Sequence, residues 1–267
     1  MLFNSISYIF FLLATTTLYY ILPHRFRALV LLIMSCFFYM CWRVEFIVLI
    51  LLSALINFFL AKQISQAEQK QKSKYFLTLS IVINFGLLFV FKYLVFFNDS
   101  FISLYEYFGY EAPTSHFDII LPLGISFYTF QAVSYCVDIY KEKRKPTKNY
   151  LKFLLYMMFF PQLVAGPIER ADKLMPQLFS KKKFQIENIT IGLKFILLGL
   201  FRKLVIADRV AVLVNTVYNA PTHFEGLAFI IATVLFAFQI YCDFCGYSEI
   251  ALGSAKLFGA CQDISKV

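Results

Sequence analysis

Residues 159–178, FFPQLVAGPIERADKLMPQL, set Pro161, Gln162, Gly166 and Pro167 inside an apolar run and then add Glu169, Arg170 and Asp172. Each proline removes a backbone donor and interrupts a helix. Within a bilayer, non-helical backbone is tolerated only where protein buries it or where it lines a wet cavity. Two readings are open. Either 159–167 enters the membrane and turns back, lining a cavity into which Gln162 points, or a helix ends at Phe160 and an ordinary loop succeeds it.

Three further stretches carry polar groups within apolar sequence, where such groups are expensive and therefore candidates for function. LPLGISFYTFQAVSYCVDIY (121–140) contains Gly124, Ser126, Thr129, Gln131 and Ser134. Helix packing accounts for the small residues, and Gln131 either packs between helices or lines a pocket. In IYCDFCGYSEIALG (240–253), Asp243 either caps a helix beginning near Ser248 or stands with Tyr247 as a pocket residue. In FRKLVIADR (201–209), Arg202, Lys203, Asp208 and Arg209 mark a cytoplasmic boundary or a basic lining able to attract an anionic substrate. Cys242-x-x-Cys245 lacks a second cysteine pair or a neighbouring histidine for zinc, so the pair reads as buried thiols and no metal is expected. His24, His116 and His223 sit beside no nucleophile with an orienting carboxylate. No catalytic residue is assigned.

The elements that must position these groups are apolar helices. The chain is 60% hydrophobic and 19% aromatic with a mean hydropathy of +0.69, against roughly 45–50% apolar in soluble domains. Eight hydrophobic stretches recur: 6–22, 28–42, 44–61, 75–97, 117–140, 150–165, 191–206 and 227–245. About 20 apolar residues cross a bilayer; 28–42 and 150–165 are short. This predicts an all-α polytopic membrane protein set in the lipid bilayer. Positive charge comes after the first apolar run in PHRFR (23–27) instead of preceding it, unlike a secretory signal. Basic segments 62–74 and 141–149 alternate with the Lys- and Arg-free segments 98–116 and 219–226. Basic loops stay in the cytoplasm, which puts the N-terminus outside. The net charge of +9 is then mostly loop charge, with Lys181, Lys182 and Lys183 suited to anionic lipid. It forms no nucleic-acid-binding face. No duplicated pair of interrupted segments marks a transporter.

Four stretches in order, MLFNSISYIFFLLATTTLYYILP, LPLGISFYTFQAVSYCVDIYK, FFPQLVAGPIERADKLMPQL and YCDFCGYSEIALGSAKLFG, resemble the membrane-bound O-acyltransferase family. The bacterial branch that includes alginate O-acetylation and teichoic acid D-alanyl transfer proteins is the nearest likeness. The resemblance implies tilted helices with broken or re-entrant pieces around a tunnel, and transfer of an acyl group, acetyl here, to hydroxyls of an extracellular polysaccharide. It implies a tunnel lining drawn from Gln131, Gln162, Gly166, Pro167, Asp243 and Tyr247, with Arg202 and Lys203 drawing in anions. It also implies an acyl donor such as acetyl-CoA or an acylated carrier, an acyl carrier protein and an extracytoplasmic acetyltransferase-like partner, and a bacterial inner-membrane location. The family's histidines lie downstream of the DFxGYS segment, and none of His24, His116 or His223 matches them. Residues 1–259 are therefore expected to be the N-terminal part of such a transferase, inactive alone, with 260–267 a divergent polar tail. A non-catalytic membrane scaffold is the alternative.

Overall fold

A computed structural model gives the fold and describes residues 1–108, 110, 120–163, 166 and 169–260. Pro167, His116 and residues 261–267 of the tail lie outside the described residues. Eleven α-helices form among the described residues, and no strand. They are α1 (Ile6–Ile21), α2 (His24–Met40), α3 (Phe46–Gln66), α4 (Lys70–Tyr107), α5 (Ile125–Tyr140) and α6 (Tyr150–Met158), then α7 (Phe160–Leu163), α8 (Ala171–Phe179), α9 (Ile186–Leu200), α10 (Asp208–Tyr218) and α11 (Gly226–Leu257). The chain is thus all-α, and α3, α4 and α11 are each long and apolar enough to cross a membrane.

Local chemistry sets several boundaries. Ser5 opens α1 by accepting the Tyr8 N–H at 3.2 Å, satisfying one donor of the first turn. Asn149 caps α6 by accepting from the Lys152 N–H. Gly124 takes a left-handed φ of +69° just before α5, a conformation glycine adopts without steric penalty. A side chain there would also collide with the Leu163 carbonyl.

Three expectations change. Residues 98–107, read as external loop, continue α4. They include no glycine or proline to break the helix, and Ser100 and Ser103 donate to the carbonyls four residues back. The basic segment 62–74 is mostly helix, leaving only 67–69 between α3 and α4. Finally, α11 is continuous from Gly226 to Leu257, so Asp243 caps nothing.

Two packed groups make up the body. Helices α3 and α4 meet around a buried amide and hydroxyl cluster. Ser80 Oγ and Asn84 Nδ2 each donate to Asn57 Oδ1 at 2.8 Å, and Asn57 Nδ2 donates to Asn84 Oδ1 at 3.1 Å. Such interhelical bonds hold helices together where lipid offers no hydrophobic drive. Helices α1, α2 and α11 close over Phe160 of α7. Its ring lies 5.0 Å from Phe11, 5.7 Å from Phe38 and 5.9 Å from Phe258, within the range of favourable aromatic pairs.

The last third of the chain is an antiparallel hairpin. Helix α9 runs through a π-helical stretch, Phe201–Ala207, directly into α10, and this rod packs along α11. Glycines let the two rods touch. A Cβ on Gly199 would lie 2.5 Å from the Gly246 carbonyl oxygen, and one on Gly253 would lie 2.5 Å from that of Gly192.

Candidate functional site

The broken segment turns back on itself. Helix α6 begins at Tyr150 and stops at Met158; at about 1.5 Å per residue it is too short to cross a bilayer. Phe159 leaves helical geometry at φ −54°, ψ 107°, and one turn, α7, comes next. Helix α8 then returns to the level of the start of α6: the Lys152 ammonium lies 4.9 Å from the centre of the Phe179 ring, at the end of α8. His24 Nε2 donates to the Ser180 carbonyl at 3.0 Å, and Arg27 donates to the Lys182 carbonyl at 2.6 Å. Both arms therefore open at the end of the molecule where α1 joins α2. Among the described residues, the segment breaks at Phe159 and its two arms, α6 and α8, come back to the same end of the molecule.

The apex is buried. Phe159 and Phe160 are fully enclosed, and Gln162 is 3% exposed. The Phe160 N–H, freed where the helix breaks, donates to Ser35 Oγ of α2 at 3.2 Å. Gly166 lies against the preceding turn, where a Cβ would come within 2.6 Å of the Gln162 Cα. Gln131 sits behind this turn on α5, 4% exposed, and donates Nε2 to the Tyr156 carbonyl at 2.8 Å. That carbonyl belongs to the last turn of α6, which has no intrahelical donor. Tyr156 in turn donates its hydroxyl to the Glu169 carbonyl at 3.3 Å, tying the two arms together.

Arg202, Lys203, Asp243 and Tyr247 come together elsewhere, where the π-helical stretch crosses α11. Lys203 Nζ lies 2.6 Å from Asp243 Oδ1 and 2.9 Å from Asp208 Oδ1, and 5.3 Å from the centre of the Tyr247 ring. Arg202 pairs with Glu249 Oε1 at 2.6 Å and reaches Cys245 Sγ at 2.8 Å. A π turn widens the helix, a feature common at functional positions. Here it sets consecutive cations beside separate carboxylates. Two positive groups meet three negative ones, Asp208, Asp243 and Glu249, so the cluster presents no surplus of positive charge to an anion. The cluster lies within one continuous rod, since α9 runs through the π-helical stretch into α10. Among the described residues no group of three or more His, Cys, Asp or Glu side chains is arranged to hold a metal.

The candidate residues thus fall into two groups: Gln131, Gln162 and Gly166 at the apex, and Arg202, Lys203, Asp243 and Tyr247 at the hairpin crossing. Glu249 and the glycine pairs were not singled out from sequence. The spacing Gly192–Gly199 matches Gly246–Gly253, seven residues each, and this was the available signal.

Comparison with known proteins places residues 46–265 in a match to the profile of MBOAT, the membrane-bound O-acyltransferase family. A probable alginate O-acetylase of Azotobacter vinelandii is 33% identical over 261 residues, covering 97% of this chain and 52% of that protein. A peptidoglycan O-acetyltransferase of Helicobacter pylori is 32% identical, covering 97% of this chain and 54% of that protein. A teichoic acid D-alanyltransferase of Streptococcus thermophilus is 28% identical over 145 residues, covering 51% of this chain and 34% of that protein. The chain spans about half the length of the curated acetylases it matches.

Proposed function

This chain belongs to the membrane-bound O-acyltransferase family, and we propose that it supplies the membrane-embedded floor of an enzyme that acetylates hydroxyls of an extracellular polysaccharide. The turn at Phe159 and α7, read as re-entrant, carries this reading. Phe159 leaves helical geometry and Gln162 is buried there, and within a bilayer either feature would need a reason. The basic ends of both arms gather beside His24 and Arg27, which supports a cytoplasmic mouth and an outward N-terminus in a bacterial inner membrane. An acyl donor, free or on a carrier protein, would approach from that side, and an extracytoplasmic partner would take the product from the other.

The transfer needs an acceptor oxygen to attack the acyl carbonyl carbon while the bond to the donor breaks and a base removes the acceptor's proton. His24 is engaged at the mouth by the Ser180 carbonyl, and His223 lies on the exposed turn before α11. Neither approaches the apex. We assign the base to residues other than these. The same observation favours a second reading, a non-catalytic membrane partner.

The test is ester content of surface polysaccharide in cells making the whole enzyme. Gln162→Ala is expected to reduce ester at least tenfold at unchanged protein level. Unchanged ester removes the apex from the site. Absence of ester in cells making an intact, membrane-inserted whole protein and supplied with donor favours the non-catalytic partner.

A further inference from the structure

Where the two arms of the re-entrant segment meet α2, they leave a groove of about 300 Å³. Its walls divide by chemistry. Leu29, Leu32 and Leu155 form an apolar floor, and His24, Arg25 and Lys152 stand at the rim. No acidic residue lines the groove among the described residues. Arg25 and Lys152 are both exposed and neither forms an ion pair among the described residues. Each rests on an aromatic face instead, Arg25 on Phe26 at 4.6 Å and Lys152 on Phe179 at 4.9 Å. Such contacts hold a cation in place without neutralising it.

We propose that this groove is a binding site for a phospholipid with an anionic headgroup, phosphatidylglycerol in kind. The headgroup phosphate would sit between Arg25 and Lys152, with one acyl chain along Leu29, Leu32 and Leu155. Charge complementarity selects the occupant. A zwitterionic lipid would bring a compensating cation to a cationic rim, and a free phosphate would leave the floor unused. Basic pockets between helices at the cytoplasmic surface suit anionic headgroups. The position gives the site a consequence. Lys152 stands at the start of α6, Phe179 at the end of α8 and Arg25 at the start of α2, so one lipid clamps the base of the hairpin whose apex is the candidate site.

The experiment uses the full chain in neutral detergent, titrated with phosphatidylglycerol or phosphatidylcholine. Retained lipid is counted by native mass spectrometry, and unfolding temperature is measured in parallel. Phosphatidylglycerol is expected to be retained and to raise the unfolding temperature, while phosphatidylcholine does neither. Arg25→Gln or Lys152→Gln weakens retention about fivefold, and the pair about thirtyfold, as expected for charges at a lipid surface. Leu29→Trp, which fills the groove and leaves the rim charges in place, also abolishes retention. Lys74→Gln, a basic residue away from the groove, leaves retention unchanged. Equal retention of both lipids, or unchanged affinity in the double variant, overturns the proposal. So does glycerol phosphate matching the lipid, since the floor would then play no part. Tighter binding of palmitoyl-CoA than of phosphatidylglycerol would give the groove to a thioester and overturn it as well.

Discussion

One substitution, glycine to alanine, is expected to act with opposite sign at two helical positions of this chain. In a helix interior alanine is favoured over glycine by about 1 kcal/mol, because it loses less backbone entropy. Gly86 lies within α4 with nothing within 4 Å of its prospective Cβ, so Gly86→Ala should keep that gain. Gly199 has the same propensity to gain but no room. Its Cβ would stand 2.5 Å from the Gly246 carbonyl oxygen and 2.8 Å from Ile250 Cγ1. The nearer obstacle is backbone, so α9 and α11 must move apart. Overpacking of this kind costs about 1–3 kcal/mol, and separation also strains the Arg202–Glu249 and Lys203–Asp243 pairs a turn away. The net expectation at Gly199 is overpacking less the propensity gain, a loss of up to about 2 kcal/mol, against a gain of up to about 1 kcal/mol at Gly86. Each kcal/mol moves the midpoint by about 2–4 °C in a chain of this size. Thermal unfolding of purified protein, monitored by tryptophan fluorescence from Trp42 or by circular dichroism, reads both. Gly246→Ala added to Gly199→Ala should cost less than the sum of the singles, because both report one contact. A Gly199→Ala that stabilises as much as Gly86→Ala would refute close approach of the two rods.

Lys203→Met should leave Asp208 and Asp243 facing each other without their shared cation. Both aspartates are partly exposed, so the expected loss is about 1–3 kcal/mol, below the value for a fully buried pair. Partial recovery in Lys203→Met with Asp243→Leu, by thermal unfolding, would confirm the cause, and a loss under about 0.5 kcal/mol for the single variant would deny it. Gln131→Leu removes the side-chain donor to the Tyr156 carbonyl and should cost about 1–3 kcal/mol for an acceptor left buried. Amide exchange over residues 156–163 should rise in that variant, and unchanged exchange would show the bond to be dispensable for the turn.

The fold class was legible because it rests on composition: long apolar runs in a chain this hydrophobic leave helices as the spanning element. The break at Phe159 was legible for a similar local reason, since Pro161 acts on its own backbone and on the residues just before it. Partnerships between distant residues were not legible. Asp243 and Lys203 are 40 positions apart, and a carboxylate after an apolar run serves equally as a cap or as a partner. Only the continuity of α11 through Gly246 decides between them. The extension of α4 past Asn98 was missed because Asp99 and Glu106 mark polarity, which is compatible with a helix, and not a helix end. Glu249 was passed over in the same way: its value comes from Arg202 across the hairpin, not from its neighbours in sequence.

A role for the apex depends on residues 150–180 entering and leaving at one membrane face. Single cysteines at Lys148, Lys181 and Thr222, in a chain otherwise free of cysteine, would be treated with a membrane-impermeant thiol reagent on intact cells and again after permeabilisation. All three side chains are exposed. The re-entrant turn predicts that positions 148 and 181 react only after permeabilisation, while position 222 reacts in intact cells. Reaction of 148 and 181 from opposite faces would make the segment a crossing helix and contradict the re-entrant turn.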